Sequence, residues 1–318
     1  MECCPLVFEI LKDMKIVNII GGIGNQMFQY AFAVSLKEKY PSEKVFVDTQ
    51  HYKNAIVKKF RGNNFYHNGY EIGKVFPNAS IKSANALILM KISYYIPNQL
   101  LYRFFRRFFP KRKSEFLAYE EPYRFLPTAI NIKTDCYYDG YWMSPKYFDK
   151  IRKEILRVFT FSPFNTQENR KYERLLVKDN SVTIHIRRGD YVGGKNLGGI
   201  CTLDYYRNAI DLAREKIKDP IFFVFSNDQE WCLENLKKEF EDSMVYFVNN
   251  NKGLESYRDM QLMSLARCNI LANSSFSWWG SYLNQREDHV AFCPKKWHNA
   301  KDYSDHFVDG WIKVDIHR

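Results

Sequence analysis

From residue 181 to residue 294 the sequence alternates short apolar runs with stretches whose apolar residues recur at helical spacing. SVTIHIR (181–187), IFFVFSND (221–228), MVYFVNN (244–250), NILANSS (269–275) and HVAFCP (289–294) read as strands. TLDYYRNAIDLAREKIK, WCLENLKKEFE, ESYRDMQLMSLARC and FSWWGSYLNQ separate them and read as helices. That alternation predicts a mainly parallel sheet with helices on both faces. Ligands bind beyond the carboxyl ends of the strands in such a sheet. The residues that close each run are therefore the ones to search for function.

A second β-α-β unit opens the chain. KIVNII (15–20) runs into Gly21-Gly22, NQMFQYAFAVSLKEKY follows at helical spacing, and VFVD (45–48) returns as a strand. Residues from about 50 to 135 are weakly periodic, with helices expected only near 82–109. SPKYFDKIRKEILRVF (144–159) predicts one helix opened by Ser144, with Pro145 in its first turn. At 318 residues the chain is long enough for two domains. They are expected at residues 1–160 and 161–318, divided near FTFSPFN.

Composition narrows the partners. A net charge of +11 attracts anions such as nucleotides, nucleic acid or an acidic membrane surface, and does not choose among them. Seven cysteines without a C-x-x-C pair point to a reduced, cytoplasmic chain. The start, MECCPLVFEILKDMK, lacks the basic n-region of a secretory signal, so translocation is not expected. Lys91 and Pro97 interrupt the longest apolar run, so no spanning helix is expected. YRFFRRFFPKRK (102–113) sets six basic residues among four Phe and a Tyr. Such a segment can touch an anionic membrane peripherally, or pack on its own domain with its basic face in water.

Two frames overlap in HIRRGDYVGGKN (185–196). Gly189, Gly194 and Lys195 fit G-x-x-x-x-G-K, but that loop needs Ser or Thr after the Lys and must lead straight into a helix. Asn196 and LGGI follow instead, so a chance match is the better reading. Gly22 and Gly24 imitate a dinucleotide fingerprint, yet Met27 stands where the third Gly should be. The Gly-rich turn still offers free N–H groups at a helix start, with Asn25 and Gln26 projecting from it.

The other frame is chemically fuller. Arg187 and Arg188 close a buried strand, and guanidinium forks bind phosphate bidentately. Successive residues point to opposite faces, so one Arg should face the ligand while the other braces the loop, against Asp190 for instance. Ser226 and Asp228 close a second strand, where a carboxylate can accept from a base's N–H groups. Asn273, Ser274 and Ser275 close a third and open a helix at Phe276, an anion site aligned with the helix dipole. Each alone could be a cap or a core residue; three polar strand ends in one sheet point to a ligand. The sequence has no D-x-D pair to chelate a metal on a diphosphate and no zinc spacing, with His298 and His306 expected to be structural. Electrostatic stabilisation of a departing diphosphate without metal is the chemistry these residues could supply.

In that order, GGIGNQMFQYAFAVSL, DGYWMSPKYF, HIRRGDYV, FSND and NSSFSWWG resemble the bacterial α-1,2-fucosyltransferases of glycosyltransferase family 11. The similarity spans about residues 15 to 314, including PKKWH and GWIKV. It implies a GT-B α/β architecture of two Rossmann-like domains facing a cleft, the first on the acceptor side and the second holding GDP-L-fucose. It implies inverting, metal-independent transfer of fucose to the 2-hydroxyl of a galactoside, as a free oligosaccharide or a lipid-linked glycan. Carried over by motif, Arg187 is the pyrophosphate ligand, His185 and Asp228 are guanosine contacts, and Ser274, Ser275 and Phe276 form the phosphate and nucleoside loop. Gly24, Arg188, Ser226 and Asn273 belong to the same expected donor site. Asn25 sits near the transfer point, and Asp190 is the candidate base. Two other readings are another nucleotide-sugar glycosyltransferase and a basic aromatic nucleic-acid binder, and the latter lacks any recognition motif.

Overall fold

The computed structural model describes residues 13–53, 68–94, 99–109 and 114–315. Four parallel strands, β1 (Met14–Asn18), β2 (Lys44–Asp48), β3 (Ser114–Ala118) and β4 (Asp135–Asp139), form one sheet in the order β2-β1-β4-β3. Six more, β5 (Ser181–Ile186), β6 (Ile221–Ser226), β7 (Val245–Val248), β8 (Cys268–Ile270), β9 (Val290–Pro294) and β10 (Ile312–Val314), form a second parallel sheet. Its order, β10-β9-β8-β5-β6-β7, is the doubly wound dinucleotide-binding order. Two such α/β halves are the GT-B organisation that the motif resemblance implied.

Burial explains why these segments are strands. All six residues of β5 are buried, as expected where helices cover both faces of a parallel sheet. In the second sheet the winding direction reverses beside its first strand, between β5 and β8, whereas in the first sheet β1 to β2 and β3 to β4 step the same way. The switch point of the second sheet opens at the carboxyl ends of β5 and β8.

One correction concerns residues 144–159. The single expected helix is instead two 3-10 turns, Pro145–Tyr147 and Asp149–Ile151, followed by a short α-helix, Arg152–Val158. Phe148 breaks the run (φ −139°, ψ 0°) because its ring is committed to the core, stacked on Trp279 at 5.5 Å. Asp149 then accepts from the Tyr282 hydroxyl at 3.0 Å.

The halves share one hydrophobic core. Val17, Phe28 and Tyr138 from the first sheet and its helix join Phe225, Trp278 and Trp279 from the second in a single apolar cluster. The Ile23–Lys39 helix packs against the Ser275–Tyr282 helix, with Phe28 centred 4.5 Å from Trp278 and 5.0 Å from Trp279. Contact is closest at the helix starts. A Cβ on Gly24 would lie 2.7 Å from the carbonyl carbon of Ser275 and 2.9 Å from the Phe276 nitrogen. The Gly24 carbonyl also accepts from the Trp279 indole at 3.0 Å.

Gly24→Ala must therefore push backbone apart. It is expected to lower the stability by about 1–3 kcal/mol, read as a fall in the denaturant midpoint, whereas Gly73→Ala, with open space around it, leaves that midpoint near wild type.

Candidate functional site

The second sheet brings together the strand ends that the sequence singled out. β5 and β8 pair directly, with Ile184 opposite Ile270, so the residues beyond them flank the switch point from either side. His185 is buried and its ring packs on Phe276 at 5.5 Å. Its Nδ1 is a buried polar atom with no hydrogen-bond partner among the described residues. Burial, aided by the Arg187 charge, pushes the imidazole down to about 3, so it is neutral across the physiological range. Arg187 lies over the Tyr191 ring at 5.6 Å.

Arg188 plays the bracing part, and Asp228 is a partner for it among the described side chains. Its Nε lies 3.1 Å from Asp228 Oδ2 and its guanidinium sits 4.1 Å over the Trp231 ring. Its backbone N–H donates to Asn227 Oδ1 at 2.9 Å. Asp228 in turn accepts from the Trp231 N–H at 3.2 Å and caps the Gln229–Leu236 helix, while the Ser226 hydroxyl accepts from the Asp228 N–H at 2.9 Å. The ends of β5 and β6 are thus locked as one frame. Asp190 lies in the 3-10 turn Gly189–Tyr191, and its side chain lies outside the described ones.

Residues 273–276 form the opposite wall. Ser274 is the N-cap of the Ser275–Tyr282 helix and accepts from the Phe276 N–H at 3.3 Å. Ser275 Oγ donates to Asn25 Oδ1 at 2.7 Å, which ties this wall to the Gly-rich turn of the first half. Asn273 is held by the protein: its amide donates to the carbonyls of Leu197 and Trp297 at 3.0 and 3.2 Å. The Gly-rich turn itself, at Gly21 (φ +85°), turns from β1 into the Ile23–Lys39 helix. Its Gln26 does not project outward as expected. That amide is buried, donating to Gly21 and Gly69 carbonyls at 3.0 and 2.8 Å and accepting from the Glu71 N–H at 2.9 Å.

A cleft of about 520 Å³ lies between the halves. Asn25, Asn273 and Ser275 line it, together with aromatic and charged residues that sequence reasoning did not single out: Tyr119, Glu120, Tyr123, Tyr141, Trp297 and Lys301. The only sequence signal for Trp297 was its place in PKKWH; the tyrosines sit in the weakly patterned segment and at the end of β4. His298 also lines the cleft, its Nδ1 accepting from Ala300 and Lys301 N–H groups at 3.0 and 2.8 Å. His306 is structural, buried against Trp297 at 4.4 Å and pushed down to about 3 by burial. Lys195 does not precede a helix; the loop after β5 runs to Leu203 before one begins, so the G-x-x-x-x-G-K match is accidental. Among the described residues no group of three or more His, Cys, Asp or Glu is placed to hold a metal ion.

Comparison with known proteins gives the class: the chain is a glycosyltransferase of fucosyltransferase-like type. Residues 85–315 match the family model described as glycosyl transferase family 11, and the chain belongs to that family. It is 28% identical over 313 residues to an Escherichia coli alpha-1,2-colitosyltransferase, covering 95% of this chain and 99% of that one. Against the Rattus norvegicus galactoside alpha-(1,2)-fucosyltransferase 2 it is 32% identical over 283 residues, 86% of this chain and 68% of the relative. Among solved structures, a mutant of Arabidopsis thaliana FUT1 in complex with GDP aligns with 96% of this chain and 75% of its own, at 14% identity and a TM-score of 0.49.

The buried imidazole makes stability pH-dependent. Folded, His185 takes a proton only near pH 3; unfolded it does so near 6.5, so stability is lost as pH falls from 6.5 towards 3. Between about pH 6.5 and 5, wild type is expected to lose on the order of 1–2 kcal/mol more than His185→Gln in denaturant titrations.

Proposed function

We propose that this chain transfers L-fucose from GDP-L-fucose to the 2-hydroxyl of a galactoside, with inversion at fucose C1 and without a metal, in the synthesis of a bacterial surface glycan. The observation that carries the reading is the meeting of two features at one switch point. The strand end bearing His185 and Arg187 packs against the helix start at Ser274–Phe276. A helix start offers backbone N–H groups and the positive end of a dipole, and Arg187 adds a permanent charge. Together they suit a nucleoside diphosphate. Membership of family 11, and the transferase names of the relatives, fit the same chemistry.

In this reading the diphosphate lies between Arg187 and the 274–276 turn, and the neutral His185 with its open Nδ1 and Asp228 face the base. Gly24 and Asn25 bring the other half to the sugar end, where the cleft takes the acceptor. Its volume is within the usual range for a small-molecule site. The acceptor's 2-hydroxyl oxygen attacks fucose C1 from the face opposite the diphosphate; the C1–O bond breaks and its electron pair leaves with GDP. Arg187 and the turn neutralise the developing charge. The hydroxyl proton passes to a base, for which Asp190 is our candidate. The donor sugar is the point on which the test must be sharpest, because one relative is named for colitose.

Arg187→Ala is expected to weaken GDP binding by roughly a hundredfold, since it removes a bidentate charged contact to the diphosphate; calorimetry with GDP measures this, and unchanged affinity would remove the diphosphate from this site. Turnover of GDP-L-fucose onto a galactoside is expected to persist in EDTA, with linkage analysis showing fucose on the 2-hydroxyl. Faster turnover with nucleotide-activated colitose would reassign the donor.

A further inference from the structure

The face of the first sheet turned away from the second half has its own small apolar cluster, built from Met14, Ile16 and Tyr137 beneath Ala84, Leu89 and Ile92. Two helices lie over this side, Ala86–Ile92 and Gln99–Phe108. One inward side chain anchors the second. Arg106 is buried, with its guanidinium 3.4 Å over the Tyr137 ring, 3.7 Å from the Asp48 carboxylate and donating to the Tyr94 carbonyl at 3.2 Å. Arg106 therefore fixes which way the helix faces.

With Arg106 turned inward, the outer surface is apolar. Leu101, Phe104, Phe105 and Phe108 on this helix, Phe109 just past its end, and Leu87 and Met90 on its neighbour are between 37% and 73% exposed. These seven are the majority of the twelve large apolar residues exposed among the described ones, so the patch is a concentration rather than ordinary surface scatter. Charge decides what it meets. From residue 72 to residue 114 the sequence has nine Lys and Arg and no Asp or Glu, against a net +11 for the whole chain. Two copies meeting through this face would set like charges together, whereas an anionic bilayer supplies both an apolar layer for the phenylalanines and counter-charge for Lys91 and Arg107.

We infer that this face docks on an anionic lipid surface, with the Phe104–Phe108 edge inserted at the headgroup level and the cleft held off the bilayer on the other side of the sheet. The inference goes beyond the fucosyl reading and does not depend on the donor. Cosedimentation of the full chain with phosphatidylcholine vesicles, and with phosphatidylcholine mixed with phosphatidylglycerol, tests it. Binding is expected to the anionic vesicles alone, to fall as salt is raised, and to weaken at least about tenfold in the double variant Phe104→Ser, Phe108→Ser and measurably in Arg107→Glu. All three side chains are exposed, so unfolding midpoints should stay at wild type; should the double variant misfold, Arg107→Glu and the salt series still decide. Absence of wild-type binding to anionic vesicles, variants that bind as wild type does, or a dimer in solution that the double variant dissolves would each overturn the inference.

Discussion

Everything in the molecule is arranged around one close approach, that of Gly24 to the backbone of Ser275. Two helices, one from each half, meet there start to start, and their like-signed dipole ends face one cleft. Such an approach is electrostatically unfavourable with nothing between the ends. Three features offset it: the Ser275–Asn25 hydrogen bond, the Trp279 indole on the Gly24 carbonyl, and the aromatic packing of Phe28 against both tryptophans. Two positive helix ends are left facing the cleft, which on the proposed reading is where a nucleoside diphosphate brings its charge.

The walls of that cleft are also held rigidly. Arg188, Asp228 and Trp231 clamp the ends of β5 and β6, so Arg187 extends from a loop whose neighbours are already committed. Asn273 is pinned to two carbonyls on the opposite wall. Glutamines 26 and 29 do the same on the other side of the cleft, Gln29 joining the Ile20 N–H to the Gly140 carbonyl and so linking the ends of β1 and β4. Preorganised walls of this kind lose little ordering entropy when a ligand arrives.

Much of the second sheet was legible in the sequence because strands buried on both faces are written as near-continuous apolar runs: β6 and β9 are such runs, and β5 keeps apolar residues at 182, 184 and 186 between Ser181, Thr183 and His185. The first sheet was less so. β4, DCYYD, starts and ends in aspartates that look like loop residues until their partners are known: Asp135 accepts from the Met14 N–H and Asp139 from the Asn18 amide. β3 is only half-buried, and β10 is three residues long. The strand-end residues of the site could be named because a parallel sheet displays its ligands there. Gln26 could not be placed, since nothing local distinguishes an amide aimed at solvent from one aimed at Gly69 and Glu71. Tyr119, Tyr123 and Lys301 reach the cleft from loops distant in sequence, and no periodicity points to them. The break at Phe148 is likewise a tertiary effect, set by Trp279.

The single apolar cluster that runs through both sheets has an evolutionary consequence. Halves joined only by a linker can be recombined, each carrying its own specificity to a new partner. Here Phe28 and Phe148 would find no tryptophans in a foreign second half, and Gly24 would face a backbone not shaped for it. Diversification in such a lineage must proceed by loop replacement around a fixed pair of sheets, with both halves inherited together.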